Sequence, residues 1–335
     1  MLRYLARRAA LAVVVVAGVV TLTFVVARVV PGDPAAAWAG PHASPAEIAA
    51  VRHRLGLDRS LPVQIARFFA GVARGDWGTS VHTHQPVLSD LASRAPASLE
   101  LVLAALLLAV AVGVPLGLLS ARWPGRLIDH GVRTAAIVGV SMPIFWMALI
   151  LQLVFFQRLH LLPVAGIRDP DLTPYAEYTR MPVVDAVLTA DWPLLRDALA
   201  HLLLPAVVIA AYPVGVVARM VRASVLDTLG ETHVQMIRAL GFPERTVLGR
   251  FALKLAWNPV VAVLALVFAY SLVNTFLVES IFDWPGLGAY AADSISSLDV
   301  PAIVGVTLFI AIVYVASNLL VDLVQAALDP RIRLR

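Results

Sequence analysis

Few side chains in this sequence have a type and spacing that could do chemistry. His82-Thr83-His84 offers two imidazoles one residue apart. That is half of a metal site, but no third ligand stands at a useful spacing, and solvated loop histidines are the simpler reading. No Walker-type phosphate loop and no Gly-x-Gly-x-x-Gly opening a helix is present, so no phosphate cradle is legible in the chain. With no cysteine there are neither disulfides nor thiolate ligands. What remains is a set of polar residues inside apolar runs: Ser271, Asn274 and Thr275 in one, Thr307 and Asn318 in the next. Polar side chains facing hydrocarbon are disfavoured, which makes these five candidates for lining a pathway. The plain alternative is interhelical hydrogen bonding, worth about 0.6 kcal/mol each. Glu279, Asp283 and Trp284 close the first of these runs and are candidates for an outer gate or docking surface; Trp284 suits an interfacial aromatic belt equally well.

The elements that must position these residues follow from composition. Of 335 residues, 60% are apolar and 14% charged, whereas soluble domains run near 45–50% and about 25%. A soluble fold could not cover that excess with polar surface. Charges cost roughly 2.5–3.5 kcal/mol each in hydrocarbon, so spans are sought as charge-free windows of about 18 residues or more. Six qualify: Ala9–Ala27, Leu101–Ala121, Thr134–Gln157, Ala198–Ala218, Leu255–Val278 and Val300–Val321. With the N-terminus inside, the inner segments carry 15 basic and 6 acidic residues, and the outer loops after the third and fifth spans carry 4 and 10. Positive-inside placement therefore puts both termini in the cytoplasm. The net charge of +4 is a mark of topology, not of nucleic-acid binding. The first span reads as an uncleaved helix, because its apolar run exceeds the 7–15 residues of a signal peptide.

Two loops have structure of their own. In the first, Pro31-Gly32-Asp33-Pro34 ends the first helix. Ser44-Pro45-Ala46-Glu47 then reads as a capped helix start running to about Leu55, with Gly56 as its far cap. Val63–Val72 is amphipathic and suits the headgroup plane. In the segment Arg219–Pro259, Gly230 ends the extension of the fourth span and Glu231–Leu240 makes a helix of about ten residues. Glu231 stands at its positive end and Arg238 near its negative end. Gly241 fits a left-handed cap, and Pro243 starts a second helix with Val247, Leu248, Phe251 and Leu255 as its apolar stripe. This is either a lever seated in another protein's groove or a basic helix lying on headgroups. Pro205 and Pro213 are expected to kink the fourth span.

The segment Glu231 to Pro259 resembles the cytoplasmic EAA loop of type I ABC importer permeases, in particular the B-type subunit of the dipeptide/oligopeptide family. The motif's acidic position, its glycine six residues on and its Ala-Leu-Lys/Arg pattern correspond to Gln235, Gly241 and Ala252-Leu253-Lys254. The resemblance extends along the chain through Pro31-Gly32-Asp33-Pro34, Leu55-Gly56-Leu57-Asp58, Arg74-Gly75-Asp76-Trp77-Gly78, Trp284-Pro285-Gly286-Leu287-Gly288 and Asp329-Pro330-Arg331-Ile332-Arg333. There are departures. Gln235-Met236-Ile237-Arg238-Ala239-Leu240-Gly241 stands where that branch shows Arg-Thr-Ala-Arg-Ala-Lys-Gly, and Leu255 replaces its asparagine. Gln235 carries no charge, so the motif carboxylate's salt bridge to an ATPase is missing, with Glu231 or Arg238 as substitutes.

The resemblance implies an all-α membrane protein of about six transmembrane helices, with a long external loop after the first. Its divisions are an N-terminal helix over 1–30, the external loop over 31–96, a permease domain over 97–327 that includes a coupling loop at 219–258, and a cytoplasmic tail over 328–335. It implies an ATPase-coupling helix marked by Glu231, Gln235, Arg238, Ala239 and Gly241. It also implies a bacterial inner-membrane heterodimer with a second permease, two ABC ATPase subunits that hold ATP and Mg, and an external peptide-binding protein. Under this reading the chain is not an enzyme, binds no cofactor and contacts lipid but no nucleic acid. Relatives of this kind import dipeptides, longer peptides, glutathione or nickel complexes. An ion-coupled secondary transporter is the competing class. Such proteins carry ionisable groups at membrane depth, whereas here Glu100 and Asp322 flank the windows.

Overall fold

The computed structural model describes residues 2–29, 33–40, 42–171 and 177–328. Pro31-Gly32, the Asp329–Arg333 motif and all but the start of the 328–335 tail lie outside the described residues. The described chain is helical, its one extended pairing being an isolated bridge between Thr79 and Pro86. It divides into two compact units, each taken by itself below: residues up to Ser98 with Pro285–Ala316, and Leu99–Trp284 with the chain from Ser317.

In the first unit, α1 (Leu2–Val29) meets the short loop helices. Asp33 caps α2 (Pro34–Ala39). Ser44 and Glu47 form a reciprocal capping box on α3 (Pro45–Arg54), and Gly56 adopts φ +66°; the Ser44 cap and the glycine are as the residue pattern leads one to expect. The apolar face of α4 (Leu61–Val72) is packed, not laid out for headgroups: Leu61, Ile65, Phe68, Phe69 and Val72 lie against Val20 and Phe24 of α1 and Val304 and Leu308 further along the chain. That spacing is one stripe of a helix. The remaining elements of this unit are the first part of α5 (Val87–Arg122), α13 (Leu287–Ser296) and the first part of α14 (Val300–Leu328). Asp90 accepts from Thr83 Oγ1 and from Tyr290 Oη. Asp299 accepts from Ser80 and from the N–H of Ala302 in the first turn of α14. The turn over residues 79–86 is thereby tied to three helices.

In the second unit α9 (Trp192–Leu229) is the central element, crossed by α5, by α6 (Leu127–Ser141) and by α12 (Leu253–Ile281). Glycines let backbones approach. A Cβ on Gly117 would stand 2.7 Å from the carbonyl oxygen of Ala218, and one on Gly215 would stand 2.9 Å from that of Ala136. The helix α9 runs without a break through Pro205 and Pro213.

The third apolar window is not one rod. It is α6 followed by α7 (Ile144–Leu151) with a π-helical turn over Gln152–Arg158, bent by 103° at Met142-Pro143. Proline drives the residue before it into extended backbone, and Met142 has ψ 127°. The bend does not turn the chain back. Asp129 at the start of α6 pairs with Arg222, while Gln152 after α7 donates to the carbonyl of Ile281, at the other end of α12. The segment therefore crosses as a broken span. Among the described residues four helices are long and apolar enough to cross a membrane, and this pair, taken as one span, makes a fifth. The described apolar stretch of α1 is Ala10–Val26.

Candidate functional site: a jointed arm and a cavity at a broken helix

The arm begins where α9 ends, at Gly230. Glu231 is the N-cap of α10 (Thr232–Ala239), eight residues and not the ten expected. The side chain of Glu231 makes no capping bond and lies 3.6 Å from the Nδ1 of His233. Gln235 donates its amide to the carbonyl of Gly230 at 3.1 Å, so the residue at the motif's acidic position ties α10 to the end of α9. Only Val234 of this helix is buried; Gln235, Arg238 and Ala239 face outward, as do Met236, Leu240 and Phe242.

Gly241 has φ +83° with no atom within 4 Å of where a Cβ would be, so its backbone conformation, not crowding, demands glycine. Across this elbow Arg238 grips Glu244 through Nη2 at 2.6 Å and Nε at 3.2 Å. Arg238 braces the joint, and its guanidinium is engaged within this chain. Beyond Pro243, α11 (Glu244–Thr246) leads into a π-helical turn, Val247–Ala252, before α12. The expected stripe of Val247, Leu248, Phe251 and Leu255 is corrected by this turn. Its i→i+5 bonds add a residue and advance the phase, so the buried positions are Val247, Leu248, Ala252, Ala256 and Val260, and Leu255 is exposed.

The cavity lies where α6 breaks, half-way along α9. It is an open pocket of about 270 Å³ bordered by Gly139–Ile144, Tyr212, Tyr270, Ser271 and Asn274. Tyr212 and Tyr270 lean together with ring centres 4.2 Å apart. Asn274 donates to the carbonyl of Tyr270 at 2.8 Å. Ser271 is only 3% exposed, and its hydroxyl has no hydrogen-bond partner among the described residues. Of the pathway candidates, then, Ser271 and Asn274 meet at one cavity. Thr275 is buried and donates to Leu272 of its own helix, and Thr307 likewise donates to Ile303. Asn318 is half-buried and belongs, like the cavity, to the second unit. Glu279 and Trp284 are buried, which removes Trp284 from an interfacial belt and leaves Asp283, at φ +49°, as the one of the three at the surface. His82 and His84 are exposed, and the His84 ring meets Trp38 edge-on at 5.4 Å.

Sequence reasoning missed Asp129 and Arg222. The carboxylate is fully enclosed and accepts from Arg222 Nε at 2.7 Å and Nη2 at 2.8 Å, from Ser120 and from the N–H of Gly125. The two residues are 93 positions apart, and no local signal links them.

Helices crossing at glycines, a neutral cavity at a broken span, and an exposed helix bent back at a glycine between two spans define a membrane transport subunit. Residues 113–334 match the family of binding-protein-dependent transport system inner membrane components, and residues 1–102 match the N-terminal family of the same membrane components. The chain belongs to this family. It is 42% identical to a probable D,D-dipeptide transport system permease protein of Escherichia coli (strain K12), over 96% of this chain and 94% of that one. It is 36% identical to a dipeptide transport system permease protein of Alkalihalophilus pseudofirmus, over 99% and 100%. A glutathione transport system permease protein of Salmonella paratyphi A is 34% identical over 94% of each. The protein is thus a multi-pass inner-membrane permease subunit of an ATP-driven importer, and the ATP is hydrolysed by partner subunits.

Proposed function

We propose that this permease forms half of an import pathway for small peptides and is driven through α10 by an ABC ATPase. The observation that carries the drive is the arm itself: a helix with Val234 as its one buried residue, tied to α9 by Gln235 and braced by Arg238–Glu244 across Gly241, with Met236 exposed on it and Leu240 and Phe242 exposed at the elbow. An exposed apolar trio, Met236 on the helix with Leu240 and Phe242 at its end and just past the elbow, suits a groove in a soluble partner better than water. The substrate class rests on the relatives, whose names speak of D,D-dipeptide, dipeptide and glutathione transport. Glutathione is itself a tripeptide.

The assembly this reading calls for holds a second, homologous permease, two ATPase subunits carrying ATP and Mg, and an external binding protein that delivers the peptide. Both termini and α10 lie on the cytoplasmic side. Closure of the ATPase pair moves α10, and the Gly241 joint hands that motion to α12 and α9. Glu231, Gln235, Arg238, Ala239 and Gly241 are the arm's working residues. Ser271 and Asn274 line the path, with Thr275, Thr307 and Asn318 as less direct contributors, and Asp283 faces the delivery side.

The test is Gly241→Val in the reconstituted assembly. A β-branched residue at positive φ is strained by about 1–3 kcal/mol, so substrate-stimulated ATPase falls by about tenfold or more while membrane insertion persists. Gly241→Asn, which tolerates that backbone, retains most of the stimulation. Normal stimulation in the valine variant refutes the lever. Uptake that follows ATP and ignores a collapsed proton gradient separates this reading from an ion-coupled transporter.

A further inference from the structure

The cavity at the broken helix has a chemistry that points to one kind of occupant. None of the side chains around it is charged. Its polarity comes instead from the break. Pro143 has no N–H to give the carbonyl of Gly139, and the carbonyls of Val140 and Ser141 end α6 without a following turn. On the other side, α7 opens at Ile144 with Pro143 as its N-cap and no side chain capping its first N–H groups. A helix C-terminus with its partial negative charge and a helix N-terminus with its partial positive charge thus border one cavity. A second, independent feature points the same way. Ser271 is 97% buried at the wall, and its hydroxyl is unpartnered. What little of Ser271 is exposed faces the pocket, so its hydroxyl is free to bond water or a ligand there.

Size narrows the class further. At about 270 Å³ the space is just below the ~300–1,000 Å³ of pockets that enclose drug-sized ligands. It has room for two amino-acid residues.

We propose that this cavity is a transit site for a zwitterionic dipeptide. The peptide's carboxylate sits at the start of α7, its ammonium group at the carbonyls that end α6, and its amide beside Ser271 and Asn274. Tyr212 and Tyr270 form an apolar wall for whichever side chains the peptide carries. Because helix ends and hydroxyls recognise the backbone and the wall recognises only bulk, the site is blind to side-chain identity. This inference rests on the peptide-import reading above and adds to it where, and by what groups, the peptide is held.

The absence of cysteine from the chain allows a direct test. Ser271→Cys places a single thiol on the cavity wall with little change in volume. In the reconstituted assembly, with the other subunits freed of reactive thiols, millimolar alanyl-alanine slows labelling of that thiol by a small methanethiosulfonate reagent severalfold. N-acetyl-alanyl-alanine amide, which has the same side chains and no terminal charges, does not. Equal protection by both peptides, or by neither, overturns the proposal. In the same vesicles Ser271→Leu, which fills the space, lowers ATP-dependent uptake of alanyl-alanine at least tenfold; uptake within twofold of the unmodified assembly also overturns it. The unmodified assembly separates the two readings. If it shows no ATP-dependent uptake of any small peptide, peptide import itself fails and the transit site with it. If it transports alanyl-alanine while the thiol of Ser271→Cys is not selectively protected or Ser271→Leu keeps its uptake, only the transit site fails.

Discussion

Asp129 has every available donor turned toward it: the Arg222 guanidinium through two nitrogens, the Ser120 hydroxyl and the Gly125 N–H. A carboxylate shut away from water is tolerable only when so surrounded. Removing one partner of a buried pair costs about 3–5 kcal/mol. The Arg222 side chain keeps 24% exposure, so water recovers part of that loss, and Asp129→Ala is expected to cost about 2 kcal/mol. Thermal unfolding in detergent reads this as a lower midpoint. Arg222→Lys keeps only part of the pair's contribution, because an ammonium cannot reproduce the two-pronged grip; an unchanged midpoint would show that charge alone matters there. A second prediction concerns Glu47 at the start of α3. The Ser44 N–H and hydroxyl hold its carboxyl below the ordinary range. A group whose folded pKa is lowered contributes stability above its unfolded value and loses it as pH falls through the folded one. Protection of the first α3 amides against hydrogen exchange, taken relative to the unstructured rate at each pH, should therefore hold at neutral pH and fall only in acid, whereas Glu47→Gln should show no such step. The capped start of α3 was legible because the cap and its proline are adjacent in the chain; the reciprocal bond from Glu47 came with the structure. The Asp129 pair was not, because each half looks like an ordinary flanking charge.

Helices were legible as elements because the membrane imposes a rule that a single sequence obeys openly: long stretches without charge. What the windows could not carry was the behaviour of their prolines. Pro115, Pro205, Pro213 and Pro259 all ride inside continuous helices, while Pro143 breaks its own. Local propensity ranks these five alike. The outcome depends on what each helix meets across the bundle, which no window contains. The π-helical turn before α12 is a similar case, since it shifts a buried stripe by one residue without any signature in the composition. Glycine substitutions report the same long-range packing. At Gly117 a Cβ would meet Ala218 O at 2.7 Å and the Val221 Cβ at 2.7 Å, so Gly117→Ala forces α5 off α9 and costs about 1–3 kcal/mol. Gly131, inside α6, has open space around its would-be Cβ. Gly131→Ala should instead stabilise by about 0.5–1 kcal/mol through the lower entropy of the unfolded chain. Unfolding midpoints that moved the same way for both would contradict the crossing geometry.

For the whole molecule, the broken span settles a question of parity that the windows leave to assumption. Had α6 and α7 formed a re-entrant loop, α9 would run the other way and α10 would emerge opposite the loop that joins α5 to α6. The Asp129–Arg222 pair instead holds the start of α6 beside the last third of α9, and Gln152 reaches the far end of α12. Residues 122–129 and α10 therefore share one face, which the proposed topology places in the cytoplasm. In a chain without cysteine this is open to a clean measurement. Arg126→Cys, His233→Cys and Leu188→Cys each place a thiol at an exposed position, the last on α8 (Pro182–Thr189). An impermeant maleimide added to intact cells should label only the thiol at 188, and the thiols at 126 and 233 should react only after the membrane is opened. Labelling of 126 and 233 from opposite sides would show that the broken pair does not cross. Labelling of both from outside would invert the whole chain and take the arm away from any ATP-driven partner. The arm can act as a lever only on the side where nucleotide is, so this one measurement constrains its role as firmly as any substitution at Gly241.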